Sequence, residues 1–314
     1  MMTIPEGGEA VKSADKVAVY GLGNMGFPLA QRIARRYAVQ VADLDKAQLQ
    51  QAREAFEAEP LEAPAQLSQT RIVVLSLPSP VASQAVLAQI APVLPRGAVV
   101  VETSTVNPED VLASARVLAP FGIEIVDASV LAGVSQMQAG TASLALGGSD
   151  QALAAAQGVL DAIADRQIRF GALGAGAAAK VINNAVAHAV MIVVAEAGSM
   201  ATAAGVSHDK LITLLSDAQM GIQRPLTHRY AERIVQSNYA GGMPLEAARK
   251  DSVLALQLAQ SLGVPLFAIQ ASHAVYEMGV AAGYGREDYA AVARLWADWG
   301  RPAVPSALVA GKNS

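Results

Sequence analysis

The run Val17-Ala18-Val19-Tyr20 passes straight into Gly21-Leu22-Gly23-Asn24-Met25-Gly26, and then into a stretch that reads as a helix ending near Arg36. A short β-branched run reads as a strand, and glycines at this spacing between strand and helix each answer a steric demand. Gly21 permits a tight turn, Gly23 lets backbone approach a pyrophosphate, and Gly26 lets the helix pack close to the sheet. The helix start offers unpaired N–H groups and the positive end of its dipole to phosphate. A second strand, Val39–Ala42, ends at Asp43, roughly 20 residues after Gly21, where a carboxylate accepts from ribose hydroxyls and repels a 2′-phosphate. Alone, Asp43 reads as a solvated turn acid; the glycine loop gives it the other meaning. The expected cofactor is NAD, preferred over NADP, contacted by Gly21, Leu22, Gly23, Asn24, Met25, Gly26 and Asp43. Asp45 adds negative charge, and the next basic residue is Lys46.

Further strand patterns follow at Ile72–Leu77, Ala98–Val101 and Ile123–Val126, with Ser143–Leu146 and Gln167–Phe170 as two more. Helical patterns lie between most of them. This alternation predicts a parallel, doubly wound sheet with helices on both faces, a Rossmann-type α/β domain. From Ala175 onward the chain is Ala-, Leu- and Gln-rich and shows no convincing strand. A long helix is predicted from Ala177 to about Ala204, then shorter ones near His208–Ala218, Pro244–Leu262, Pro265–Met278 and Glu287–Trp299. The expected layout is a flexible tail over 1–15, the Rossmann-type domain over 16–173, an interdomain helix over 174–204, an all-α domain over 205–301 and a second tail over 302–314.

Composition narrows the chemistry. Apolar residues make up 53% of the 314-residue chain and charged residues 16%, enough for buried cores and unlike a disordered chain. With no cysteine, disulfides, thiolate metal sites and a cysteine nucleophile are excluded. The four histidines, His188, His208, His228 and His273, lack the spacing of a helical zinc motif, so no metal centre is expected. The net charge of −4 and the scattered basic residues argue against nucleic acid as a partner. The N-terminal residues lack the apolar core of a signal peptide, and a cytoplasmic protein is expected. No stretch reads as long and apolar enough for a membrane; Val181–Gly205, interrupted by Asn183, Asn184, His188 and Glu196, reads as a buried helix with a polar face.

Lys180 and Asn184, four residues apart in the long helix, share one of its faces. An ammonium near a helix N-terminus is disfavoured by the dipole, which depresses its pKa. A lysine of lowered pKa can take a proton from an alcohol or stabilise an alkoxide. A solvated lysine at a helix start is the other reading of the same residue. His188 extends the stripe by four more residues and reads more simply as a buried, satisfied histidine.

Five segments, taken together and in order, resemble the β-hydroxyacid dehydrogenase family over about Val17 to Trp296. They are the loop Gly21–Gly26; Glu102-Thr103-Ser104-Thr105-Val106-Asn107-Pro108; Asp127–Gly133 with its continuation through Gly140 to Gly147-Gly148; Gly174-Ala175-Gly176 leading to Lys180, Asn183 and Asn184; and Lys250-Asp251. The resemblance implies hydride transfer between NAD and the hydroxyl carbon of a small 3-hydroxy acid, or the reverse reduction of a semialdehyde. It implies Lys180 as the proton-transfer or alkoxide-stabilising residue. Ser104, Ala132, Gly133 and Asn184 would hold the substrate; Leu77, Pro78, Thr105 and Lys250 would join the cofactor contacts. It also implies a homodimer or homotetramer in which the helical domains pack together.

The chain departs from the family in one loop. Leu131-Ala132-Gly133 stands where Ser-Gly-Gly is usual, and Ser129 replaces a proline. Leu131 removes a hydroxyl and adds bulk, so the acid is expected to be more apolar or larger near its carboxylate, or held by another group. An imine reductase shares the two-domain plan but usually lacks the lysine. A non-catalytic dinucleotide-binding protein keeping only the fold is the alternative of another class.

Overall fold

The computed structural model describes residues 13–299. Residues 13–184 form one compact unit and 185–299 another.

In the first unit the strands are β1 (Ser13–Tyr20), β2 (Tyr37–Ala42), β3 (Glu59–Pro60), β4 (Ile72–Leu75), β5 (Val99–Glu102), β6 (Glu124–Leu131), β7 (Ser143–Gly147) and β8 (Arg166–Gly171). They form one eight-stranded sheet in the order β3-β2-β1-β4-β5-β6-β7-β8. Every pairing is parallel except β6 with β7. Helices α1 (Gly26–Ile33), α2 (Lys46–Phe56), α3 (Pro80–Ile90), α4 (Pro108–Leu118), α5 (Val134–Ala139) and α6 (Asp150–Ile163) connect them. The strands alternate between two cores, as a period of two requires. Val17, Val19, Val41, Val74 and Val101 pack with Leu29, Ile33 and Leu160 on one face. Ala18, Val73, Leu75 and Val100 pack with Leu87, Ile90 and Leu118 on the other.

The predicted doubly wound sheet is present, with corrections. β1 starts at Ser13, inside the stretch expected to be tail. β4 stops at Leu75, which leaves Leu77 and Pro78 in the following turn. β6 runs on to Leu131 because β7 folds back beside it, pairing Ser129 with Ala145 and Leu131 with Ser143. That hairpin is what breaks the all-parallel expectation, and it puts the departing residues Ser129 and Leu131 in a strand. β3, only two residues long, carries no sequence pattern to find.

The long helix α7 spans Ala175–Ala203 and passes from the first unit into the second. It is followed by α8 (His208–Ser216), a π-helix (Pro225–Ile234), α9 (Leu245–Leu262), α10 (Ala268–Ala281), a 3-10 turn (Tyr289–Ala293) and α11 (Arg294–Asp298). The π-helix was not anticipated: Pro225 and a polar sequence mask the period. The expected tail over 302–314 lies outside the described residues.

Two readings of the long helix are corrected. By length and composition Ala175–Ala203 is apolar enough to cross a membrane, because its alanines and valines outweigh the interrupting polar residues. It is also not a buried helix in the single chain: Ile182, Val186, Met191 and Ile192 are all more than half exposed, and His188 is exposed rather than buried.

Glu196 is the buried polar exception on α7. Its carboxylate accepts from the N–H groups of Phe267 (2.6 Å), Ala268 (2.8 Å) and Ile269 (3.0 Å) at the start of α10. Burial pushes its pKa up, but the three N–H bonds outweigh this and hold it below the usual carboxylate range. A depressed folded-state pKa stabilises above the unfolded value and loses that contribution as pH falls through the folded one. Glu196→Gln is therefore expected to lower the melting temperature by about 3–6 °C at neutral pH. The difference from wild type should vanish in acid; thermal melts across pH check both statements.

Candidate active site

β1 and β4 lie side by side in the sheet while their following connections leave on opposite sides, so a crevice opens at their carboxyl ends. A cleft of about 860 Å³ occupies that place. Its lining includes Gly21, Gly23, Asn24, Met25, Gly26, Asp43, Leu77, Pro78, Ser104, Thr105, Ala132 and Lys180, twelve of the sequence-predicted residues.

The glycine loop is shaped as its sequence demands. Gly21 has φ +94°, and a Cβ there would overlap the Ser76 carbonyl; a Cβ on Gly26 would overlap the Gly21 carbonyl. Gly23 has nothing within 4 Å of where its Cβ would stand. That open cradle, beside a helix N-terminus, fits a dinucleotide pyrophosphate. A Gly23→Val protein should fold with an unchanged melting temperature yet bind NADH at least about tenfold more weakly by fluorescence titration, since only the cradle is filled.

Asp43 Oδ2 accepts from Leu22 N at 2.6 Å, and Oδ1 accepts from Asp45 N at 2.8 Å. The acid therefore braces the glycine loop while facing the cleft. Leu22 itself is fully buried and outside the lining, so its part is structural.

The Glu102–Pro108 segment has a similar double character. Ser104 Oγ accepts from Leu77 N at 2.8 Å, and Ser104 N donates to Glu102 Oε1 at 2.9 Å. The Ser104 hydroxyl ties the turn after β4 to the turn after β5. Burial pushes Glu102 above the usual carboxylate range, against the lowering pull of Ser104 and Ser83, with Asp127 on the next strand adding repulsion. The Ser104 oxygen thus braces the turn, and accepting from Leu77 N does not use the hydroxyl proton at the cleft.

Gly133 does not line the cleft, and its N–H donates to Gln136 Oε1 at 2.8 Å as α5 begins. The backbone donor expected there for a substrate carboxylate is engaged. Ala132 and Val130 do line the cleft.

Lys180 is half-buried at the cleft, and burial lowers its pKa from the ordinary lysine value. Asn184, a turn further on, is partly buried and outside the lining. Lys250 belongs to the second unit, where it is exposed and paired with Asp251 at 3.0 Å.

Sequence reasoning passed over Tyr20, Ser76, Val86, Gln89 and Thr103, which also line the cleft. Tyr20 ends β1 immediately before Gly21, a position that could have marked it. Burial pushes its phenol up to about 12, so it stays a neutral donor at physiological pH.

Residues 16–174 match the family model of the NAD-binding domain of 6-phosphogluconate dehydrogenase. Residues 174–296 match that of the NAD-binding domain of NADP-dependent 3-hydroxyisobutyrate dehydrogenase. The chain is 30% identical over 289 residues to 2-(hydroxymethyl)glutarate dehydrogenase of Eubacterium barkeri, covering 90% of this chain and 94% of that one. It is 31% identical over 286 residues to L-threonate dehydrogenase of Cupriavidus necator, covering 89% and 95%. Among solved structures, an imine reductase of Streptomyces aurantiacus shares the fold with a TM-score of 0.81 at 24% identity, covering 90% of this chain and 99% of that one. With both family models in sequence along it, a relative at 30% identity over nearly its whole length, and a dinucleotide cradle opening onto a half-buried lysine, the chain belongs to the β-hydroxyacid dehydrogenase family of NAD-dependent oxidoreductases.

Proposed function

We propose that this enzyme transfers hydride between NAD and the hydroxyl carbon of a small 3-hydroxy acid, with Lys180 taking the hydroxyl proton and steadying the alkoxide. The observation that carries the reading is the placement of Lys180, with its lowered pKa, in the same cleft as the Gly21–Gly26 cradle. When bound, the nicotinamide supplies the hydride acceptor or donor. The chain's own work is to cradle the phosphates with the loop, oppose a 2′-phosphate with Asp43, and offer at Lys180 Nζ a base for oxidation or an acid for reduction. The relatives named above act, by their names, on a hydroxymethyl dicarboxylic acid and a sugar acid, which supports a hydroxy acid here.

Leu131 lies outside the cleft lining, but Val130 and Ala132 line it and the Gly133 N–H is engaged by Gln136, which together support an acid bulkier or more apolar near its carboxylate than the family's smallest substrates. The test is NADH formation by the purified enzyme with a panel of 3-hydroxy acids graded in chain length. Rising kcat/KM with an added alkyl or aryl group is the expected result. Reduction of cyclic imines with no turnover of any hydroxy acid would overturn the reading.

Asp43 supports the preference for NAD. Asp43→Asn keeps an oxygen for Leu22 N but removes the charge. It is expected to narrow the NAD-over-NADP ratio of kcat/KM about tenfold. Steady-state rates with both cofactors check this.

We infer that the working form is a homo-oligomer in which a second copy covers the apolar faces of α7 and the helical unit. Phe267, Leu226, Ile212 and Val186 are all more than half exposed there. An extensive exposed apolar surface of this kind marks an interface.

A further inference from the structure

Asp127 is fully buried at the middle of β6, and none of the chemistry above uses it. Its two oxygens both face the start of α7: Oδ1 accepts from Gly174 N at 2.8 Å and Oδ2 from Ala177 N at 2.7 Å. These are among the N–H groups that a helix leaves unpaired in its first turn, and an anion there also meets the positive end of the dipole. Desolvation pushes the carboxyl up while these N–H bonds pull it down.

The surroundings leave the carboxylate no freedom. A Cβ on Gly176 would overlap the Ala145 carbonyl and stand 2.8 Å from Asp127 Oδ2, and one on Gly147 would stand 2.6 Å from Oδ1. Gly174 sits at φ +93°, in the left-handed region. The glycines at 147, 174 and 176 thus let the helix start close onto one carboxylate. Lys180 follows Ala177 by three residues, one turn along the same face.

We propose that Asp127 is a positioning residue: its two-pronged grip on Gly174 and Ala177 fixes the axial and rotational setting of α7 that aims Lys180 into the cleft. This rests on the role of Lys180 proposed above. Misplacing a reacting group by about 1 Å costs on the order of a hundredfold in rate, so a small slip at the helix start is amplified at the amine.

The test is Asp127→Asn, which preserves shape but can accept through one atom only. The expected result is a fall in kcat of about tenfold to a hundredfold, with KM for NAD and the NADH dissociation constant each within about twofold of wild type. Amide exchange at Gly174 and Ala177 should quicken, while exchange in β1 and β4 stays unchanged. Gly176→Ala, which pushes the helix start off the carboxylate without removing its charge, is expected to reproduce the kcat loss. An unchanged kcat in Asp127→Asn would overturn the assignment. So would a variant that does not fold, or one whose NADH affinity falls in step with kcat, because Asp127 would then serve the architecture as a whole. Lys180→Ala run in parallel separates the two ideas: if it retains wild-type turnover, the role of Lys180 fails first.

Discussion

Lys180→Ala is expected to lower kcat for oxidation by at least about a thousandfold while leaving NADH affinity within about twofold. The size follows from two tasks on one group. In the proposed mechanism the amine takes the hydroxyl proton as hydride leaves carbon, and the ammonium it becomes stabilises the negative charge developing on that oxygen. The cradle at Gly21–Gly26 lies on a different element, so cofactor binding survives. The pH dependence has a fixed sign. Oxidation needs the neutral amine, so kcat/KM should rise with pH through the lysine pKa, and burial places that limb below the ordinary lysine value. Reduction needs the ammonium and should fall over the same range. Lys180→Ala should lose both limbs, and small primary amines added in solution should restore part of the oxidation rate. Turnover that persists in Lys180→Ala, with its pH profile intact, would remove Lys180 from the mechanism.

The parts of this site that were legible in the sequence are those whose physics is local. Gly21, Gly23 and Gly26 serve a strand–turn–helix that occupies consecutive residues, so the spacing alone states their jobs, and the structure gives each of them its expected surroundings. Lys180 stands out locally as a cation at a helix start behind two glycines, and the family resemblance is what gives it a catalytic reading. The Asp127 clamp was not, because its bonds reach 47 and 50 residues along the chain. No spacing rule announces a carboxylate on a strand that caps a distant helix. Ser104 and Gly133 show the same limit from the other side. The sequence offers the Gly133 N–H to substrate and the structure gives it to Gln136, while Ser104 lines the cleft and its oxygen also accepts from Leu77 N, a bond across 27 residues that no spacing announces. The apolar run of α7 predicts a buried helix, yet Val186 and Met191 in it are exposed in the single chain, because an apolar stripe does not say what covers it.

That exposure sets the second large effect. Among the described residues of the second unit, Leu245, Leu266 and Leu295 are the only large apolar residues that are buried, while Met191, Ile212, Leu226, Phe267 and Trp296 are each more than half exposed. A helical unit with so thin a core draws much of its stability from whatever covers it. If the cover is a second copy, wild-type protein should sediment as a dimer or tetramer. Val186→Glu, which places a carboxylate on the apolar face of α7, should then sediment as a monomer and melt about 10 °C lower. Val81→Glu is the control: Val81 is 78% exposed on α3, in the first unit, and a charge there should change neither mass nor melting temperature. α7 is apolar enough for a bilayer by composition, so flotation with vesicles separates the two kinds of cover. An oligomer stays with the soluble fraction, because Lys180 and Glu196 on α7 are costly in hydrocarbon. A wild-type monomer as stable as Val186→Glu would mean that the helical unit stands without a partner, and would overturn the assembly.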